Sequence, residues 1–416
     1  MKMRKYKILL LILFGGTLAL SAQSLEDYLQ IAAENNPGLQ AKYKEFEAAL
    51  QKVPQVNSLP DPSLSFGYFI SPVETRVGPQ RVKFSLSQMF PWFGTLKLQG
   101  DVAALMAEVK YQEFLDAQNK LYFQVSNAYY PLYEVYQWQE IEQRNIEILK
   151  SYKTIANSKF KNAAGPMVDV LRVDIMLSDA STNLSILEQK QKPLQSTFNK
   201  LLNRNEDEEI ILDDSMKMGG FSEFYRKDSL LSDNPVLNAL DLKIEAGQTS
   251  VEVARKQGLP KIGLGLDYVI VGERTDAVMA DNGKDVLMPM LSMSIPIYRK
   301  KYNASVKEAQ FMQESYSLQK SEYINSLTSG YEMAGFDVNQ QRELYLLYNQ
   351  NIEESNQMLS LLLASYSNSG KDFTEVLRMQ QQVLKYQKMK ASAITQFYIA
   401  IAKINYLTAK SYQNEN

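Results

Sequence analysis

Residues 59–94 read LPDPSLSFGYFISPVETRVGPQRVKFSLSQMFPWFG. Leu64, Phe66, Tyr68 and Ile70 alternate with Ser63, Ser65, Gly67 and Phe69, and Val82, Phe84 and Leu86 alternate with Lys83, Ser85 and Ser87. Successive side chains of a strand point to opposite faces, so each run has one apolar face and one that is mostly small or polar. Such a strand fits lipid on one side and water on the other, provided each crossing reaches the ~9 to 11 residues that a tilted strand needs. Pro60, Pro62 and Pro91 stand at the ends, where proline turns the chain without breaking a ladder.

The hairpin returns. Leu259-Pro260 repeats Leu59-Pro60 200 positions later, and Ile262, Leu264, Leu266, Tyr268 and Ile270 alternate with Gly263, Gly265 and Asp267. Its partner, Leu291 to Pro296, aligns with Leu86 to Pro91 at an offset of 205. The apolar positions Leu64, Phe66, Tyr68, Leu264, Leu266 and Tyr268 are the expected lipid-facing set. Four strands cannot close a membrane barrel, since single-chain barrels begin at about 8 and an open edge in lipid leaves backbone groups unpaired. Several copies of the chain must therefore pool their strands.

The 416 residues carry a net charge of −2, with 25 Tyr and no Cys or His. No basic footprint for nucleic acid is present. Without Cys or His, Ser-His-Asp and Cys-His catalysis and the usual zinc sites are absent, and Gly283-Lys284 and Gly370-Lys371 are each followed by Asp rather than the Ser/Thr of a phosphate loop. The sequence thus predicts no enzyme, no cofactor and no metal site. Glu206 to Glu209 read as a solvated charge run, and the 17 Met, scattered over helices and strands, as packing. Residues 1–22 have the layout of a secretory signal: Lys2, Arg4, Lys5 and Lys7, an apolar run from Ile8, then Ser21-Ala22 before an expected cleavage. Export without cysteine fits an envelope protein of a double-membrane bacterium.

Outside the hairpins the periodicity is helical. Leu98, Val102, Leu105 and Val109, then Leu121, Val125, Ala128, Leu132 and Val135, are spaced as a coiled-coil seam within one stretch from about Leu96 to Phe160, interrupted by Pro131. Some 65 residues give a helix of ~95 Å, longer than a domain is wide. A turn at 162–166 and a return helix from Met167 follow, and the second half repeats the plan around a turn at 367–371. Asn36-Pro37 recurs as Asn234-Pro235, with helices expected from Gly38 to about Val56 and on to about Gln257. Phe160-x-Asn162 with Asp169-Val170-Leu171-Arg172 matches Tyr366-x-Asn368 with Glu375-Val376-Leu377-Arg378 at a constant offset of 206. The chain divides into a signal (1–22), a first repeat (23–204, hairpin 61–91), a polar linker (205–232) and a second repeat (233–416, hairpin 261–296). The class is mainly α with a transmembrane β part.

Signal, Asn-Pro openings, two hairpins between very long helices and the doubled aromatic-to-Asp/Glu-Val-Leu turn together resemble the TolC-like outer-membrane efflux family, over essentially all of the mature chain. The resemblance implies three copies pooling four strands each into a twelve-stranded β-barrel, with long antiparallel coiled-coil helices continuing as an α-barrel through the periplasm. It implies an outer-membrane exit duct of a tripartite pump, passively exporting small molecules or metal cations, with a periplasmic adaptor and an inner-membrane transporter as partners. Leu59-Pro60-Asp61-Pro62 and Ser87 to Gly94 look like the heavy-metal or small-cation branch. Where relatives place acids on the inner helix after the second turn, this chain has Glu375 and Arg378, the implied gate, the basic residue being a departure. Asn162, Gly165, Asn368, Gly370 and Lys371 form the tip that the resemblance makes an adaptor-docking site; their bland reading is as turn formers. Two alternatives stay open: the exit duct of a one-step (type I) protein secretion system, and a periplasmic coiled-coil adaptor or scaffold that never enters the membrane.

Overall fold

The structure is a computed structural model that describes residues 24–212, 216, 218, 231, 233–276, 278, 280–369 and 373–409. The expected signal peptide, Gly370 and Lys371 lie outside the described residues. Ser24 opens α1 (Leu25–Asn35) through a capping box with Asp27. Helices α2 (Pro37–Leu50) and α3 (Lys52–Asn57) follow. They divide a stretch whose sequence predicts one continuous helix, because Pro54 has no N–H for the Leu50 carbonyl and its ring crowds it. Strands β1 (Ser63–Thr75) and β2 (Gly78–Phe90) lead to α4 (Thr95–Lys161) and α5 (Met167–Leu201). The second repeat runs α6 (Pro235–Gln257), β3 (Lys261–Val271), β4 (Val286–Ser294), α7 (Arg299–Ser369) and α8 (Phe373–Leu407).

With 67 and 71 residues, α4 and α7 are each about 100 Å long. Helix α4 runs unbroken through Pro131, where Tyr129, Tyr130, Leu132 and Tyr133 are all buried and packing outweighs the lost hydrogen bond. Toward the turns the helices lie in the order α5–α4–α8–α7; toward the strands the order is α2/α3–α4–α6–α7. The core is accordingly strung out in three clusters. One joins Tyr28, Val125, Tyr129 and Phe198 at mid-length, one surrounds Leu149, Val173 and Tyr366 near the turns, and one holds Leu237, Val338 and Ile404 of the second repeat. Among the described residues no helix is long and apolar enough to cross a membrane.

The first residues of the 205–232 stretch are clamped to the helices. Asn199, fully buried, donates to the carbonyls of Glu206 and Glu208 at 2.9 and 2.8 Å, and the Ile211 N–H donates to the Tyr28 hydroxyl at 2.9 Å. Arg204 lies over the rings of Tyr28 and Phe198 at 5.1 and 5.9 Å.

The two Asn-Pro openings do the same work twice. The Asn36 side chain accepts from the Leu39 N–H (3.1 Å) and donates to the Leu201 carbonyl at the end of α5 (2.9 Å). Asn234 accepts from the N–H groups of Val236 and Leu237 (3.0 and 3.3 Å) and donates to the Leu407 carbonyl at the end of α8 (3.3 Å). Each asparagine thus caps the start of one helix and satisfies the end of another. Asn234→Ala is expected to cost about 1–2 kcal/mol, since a buried carbonyl loses its donor along with the cap; thermal unfolding in detergent, with an exposed control such as Asn356→Ala, measures it.

Candidate functional site

The four strands form one antiparallel sheet in the order β1-β2-β3-β4. Its register sets Leu64, Leu86, Leu266 and Pro289 in one row and Phe66, Phe84, Tyr268 and Leu287 in the next, with Leu264 opposite Leu291. All six residues singled out on the apolar face, Leu64, Phe66, Tyr68, Leu264, Leu266 and Tyr268, lie on this one side and are 41–73% exposed. A bulge between Tyr68 and Val73 interrupts the ladder and leaves Ile70 without a cross-strand partner in the β1–β2 register.

The opposite face begins with rows of Ser65, Ser85, Asp267 and Met288, and of Ser63, Ser87, Gly265 and Met290. On β3, Gly263, Asp267, Val269 and Val271 of this side are buried and Gly265 partly so, while no residue of the other side is buried, so the sheet curls with this face concave. Asp267 is fully buried and ion-paired with Lys83 of β2. Three methionines, Met89, Met288 and Met290, project here beside glycines. A Cβ on Gly265 would come within 3.2 Å of Met290 Cε, and one on Gly263 within 2.6 Å of Met89 Sδ. Sequence reading treats all the methionines as scattered packing; strand parity, once the β2–β3 and β3–β4 registers are known, assigns these three to the concave face.

At the other end of the helices the two turns pack against one another. Asn162 ends α4, Ala163 takes φ +55°, and a Cβ on Gly165 would lie 3.2 Å from Lys159 Cβ. Lys159 donates to the Ser367 carbonyl (3.2 Å) and covers the Tyr366 ring. Tyr366 stacks on Phe373, centroids 4.4 Å apart, and its hydroxyl faces the Asp169 carboxyl. Arg172 lies 3.6 Å from Asp169 and donates to Thr374 across the repeats. Asn368 is exposed on the last turn of α7. Glu375 and Arg378 pair with each other on the same helix and are 42% and 71% exposed. A spacing of three puts the two side chains side by side on α8, so each already has a partner within its own chain.

Between turns and strands, α4 and α8 meet through polar groups. Glu142, almost fully buried, pairs with Lys388 and accepts from Asn145 (3.3 Å); Gln380 donates to Asn145 (3.2 Å) and Tyr152 to Gln380 (3.4 Å). Burial pushes the Tyr152 hydroxyl up to about 12, so it remains a donor. Beside this relay a cavity of about 560 Å³ opens over α8 between α4 and α7, with Arg144, Gln387 and Lys390 in its lining.

A sheet with one apolar and one concave polar face, carried on helices about 100 Å long, defines an outer-membrane channel fold. Residues 227–409 match the family model for outer membrane efflux proteins. The fold is shared with the outer-membrane channel OprN at TM-score 0.75 and 16% identity, covering 94% of this chain and 90% of that one. VceC from Vibrio cholerae gives 0.74 at 14% identity, with 92% and 95% covered, and CmeC from Campylobacter jejuni 0.73 at 15%, with 94% and 87% covered. No curated protein matches by sequence. The whole chain thus has the fold of outer-membrane channels, and residues 227–409 carry the sequence pattern of outer membrane efflux proteins.

Burial raises the Asp169 carboxyl above its ordinary value of 3.8, against the opposing pull of Arg172 and Tyr366. The packed turns therefore hold the Asp169 proton more tightly than separated turns would. Their packing is strongest below the ordinary value and weakens as pH rises through the raised one. Amide exchange over residues 160–168, corrected for its intrinsic pH dependence, should slow on acidification toward about pH 4 in the native protein and stay flat in Asp169→Asn.

Proposed function

We propose that three copies of this chain close their twelve strands into one barrel and their helices into one tunnel, forming a passive exit duct across the outer membrane and periplasm for small molecules or metal cations. An inner-membrane transporter and a periplasmic adaptor supply the energy and the connection, the adaptor meeting the tip formed by Asn162, Gly165, Asn368, Gly370 and Lys371. The observation that carries this reading is the sheet itself. Its apolar face is exposed along its length, and β1 and β4 each pair on one side only. In lipid those edges must be paired, and further copies of the same sheet pair them. A scaffold confined to water would leave the same apolar face wet.

Leu266→Arg, on the apolar face, is expected to cost about 2–4 kcal/mol near the bilayer midplane and to deplete the protein from outer membranes. Ser65→Arg, on the opposite face, is expected to be tolerated. Gly265 and Asp267 are poorer controls, since the first has Met290 against it and the second is paired with Lys83. Membrane yield and mass in mild detergent are the readouts; equal yields for the two variants, or a stable membrane-inserted monomer of the native chain, would sink the reading.

In the trimer, three copies each of Glu375 and Arg378 ring the axis at the tip as the narrowest point of the duct. Exposed in one chain, the pair is worth only ~0–1 kcal/mol; in a narrow, partly dried pore, three pairs facing one another hold more. An adaptor that binds the splayed tip better than the closed one opens it by that difference. Single-channel conductance in planar bilayers should rise in Glu375→Ala, Arg378→Ala and the double variant, with trimer retained. Unchanged conductance in the double variant places the constriction elsewhere.

A further inference from the structure

The two ends of the strands differ in charge. Within eight residues of the ends that join the helices (55–62, 91–98, 253–260 and 295–302) the chain carries Lys97, Arg255, Lys256, Arg299, Lys300 and Lys301 against one acid, Asp61. The hairpin ends, 74–81 and 272–285, hold Arg76, Arg81, Arg274 and Lys284 against Glu74, Glu273, Asp276, Asp281 and Asp285. That is +5 at one end and −1 at the other, in a chain whose whole charge is −2.

Part of the basic end is structural. Lys256 donates to the Phe93 carbonyl (3.0 Å), Arg299 to the Gly258 carbonyl (2.9 Å), and Arg255 pairs with Glu252. These bonds fix the strand–helix junctions. Lys97, Lys300 and Lys301 are exposed, and among the described residues no carboxylate lies within ion-pair distance of them. Helix stability does not account for Lys300 and Lys301, since cations in a first turn oppose the helix dipole. Beside them Phe93, Ile297 and Tyr298 are 75–82% exposed, apolar surface at the level where strands give way to helices.

We propose that this collar binds the anionic phospholipid headgroups of the leaflet facing the periplasm, with Lys97, Lys300 and Lys301 meeting the phosphates and Phe93, Ile297 and Tyr298 seated among the acyl chains just above. A second copy brings the same net +5 to this level, with Asp61 on its β1 side as the one acid, and so does not neutralise the collar, whereas an anionic lipid does. The opposite end, slightly negative, makes no such contact, so the collar fixes both depth and orientation. The inference rests on the membrane-spanning reading of the sheet.

The test uses the native protein and Lys97→Gln/Lys300→Gln/Lys301→Gln, with Arg76→Gln/Lys284→Gln as the opposite-end control. Each is first inserted into phosphatidylethanolamine vesicles, then exchanged into mild detergent with equal phosphatidylglycerol and phosphatidylcholine, and retained lipids are counted by native mass spectrometry. The native protein and the control should retain phosphatidylglycerol over phosphatidylcholine by about threefold or more, and the collar variant should retain both equally with its oligomeric mass unchanged. Failure of every variant, native included, to enter vesicles would overturn the membrane reading itself. Normal insertion with no lipid preference in the native protein, or a preference that survives in the collar variant, overturns the collar alone. Displacement of the lipid by inorganic phosphate at equal concentration, or loss of the oligomer in the collar variant, also overturns it, the collar then being a free-phosphate site or a subunit contact.

Discussion

A strand edge in lipid has no water to satisfy its N–H and C=O groups, and this governs the whole architecture. The sheet ends in β1 on one side and β4 on the other. The helices end in the same places: α2, α3 and α5 stand on the β1 side and α7 on the β4 side, at both levels of the molecule. One seam therefore runs the full length of the chain. Exposed apolar side chains mark it on both flanks, Leu171, Ile175 and Ile186 on α5 and Leu318, Leu346 and Leu361 on α7. In the proposed assembly, closing the strands and covering these helices are the same act, so that assembly does not allow the strands and the helices to be stable in different oligomeric states.

Duplication supplies the geometry that this closure needs. The offset between repeats grows along the chain, from 198 at the Asn-Pro openings through 200 and 205 at the hairpin to 206 at the turns. Most of the increase falls in the hairpin, where the connection between Val271 and Val286 replaces the two-residue turn between Thr75 and Gly78. The longer connection folds over the shorter one: Gly283 N–H donates to the Val77 carbonyl and Gly272 N–H to that of Pro79, both at 2.7 Å. The 35-residue length of α5 and α8 and the Asn-Pro caps, which set where helices meet, are preserved, whereas the hairpin ends have drifted.

Local patterns made most of this visible in the sequence. A period of two in residues 63–70 and 262–270, seam spacing in 98–135 and Asn-Pro capping each act within a few residues, so the strands, long helices and turns are readable without knowing the partner. Pro54 was readable too, since the break at Gln51 follows from its missing N–H. Contacts between residues about 200 apart were not. Lys159 with Ser367, Arg172 with Thr374 and Glu142 with Lys388 depend on which helix stands beside which, and no local period encodes that. The in-chain pairing of Glu375 with Arg378 was within reach, because a spacing of three on a helix already makes the two neighbours.

The buried relay from Lys388 through Glu142, Asn145 and Gln380 to Tyr152 has a cost that apolar packing would not incur, since a buried ion pair scarcely repays its desolvation. Its value lies in register. The α4 and α8 surfaces otherwise meet through repeating apolar side chains, and such a seam packs nearly as well after sliding by one heptad. Sliding would put Gln381 or Thr395 where Lys388 stands, leaving the buried Glu142 carboxylate without its cation, and would part Asn145 from Gln380, at several kcal/mol in all. Because α8 carries Glu375 and Arg378 at its far end, the relay also fixes how high those two side chains stand relative to Asp169 and Arg172 on α5. The height of the tip is thus set from within the wall, by a relay whose last member, Tyr152, packs against Phe373 at the start of α8.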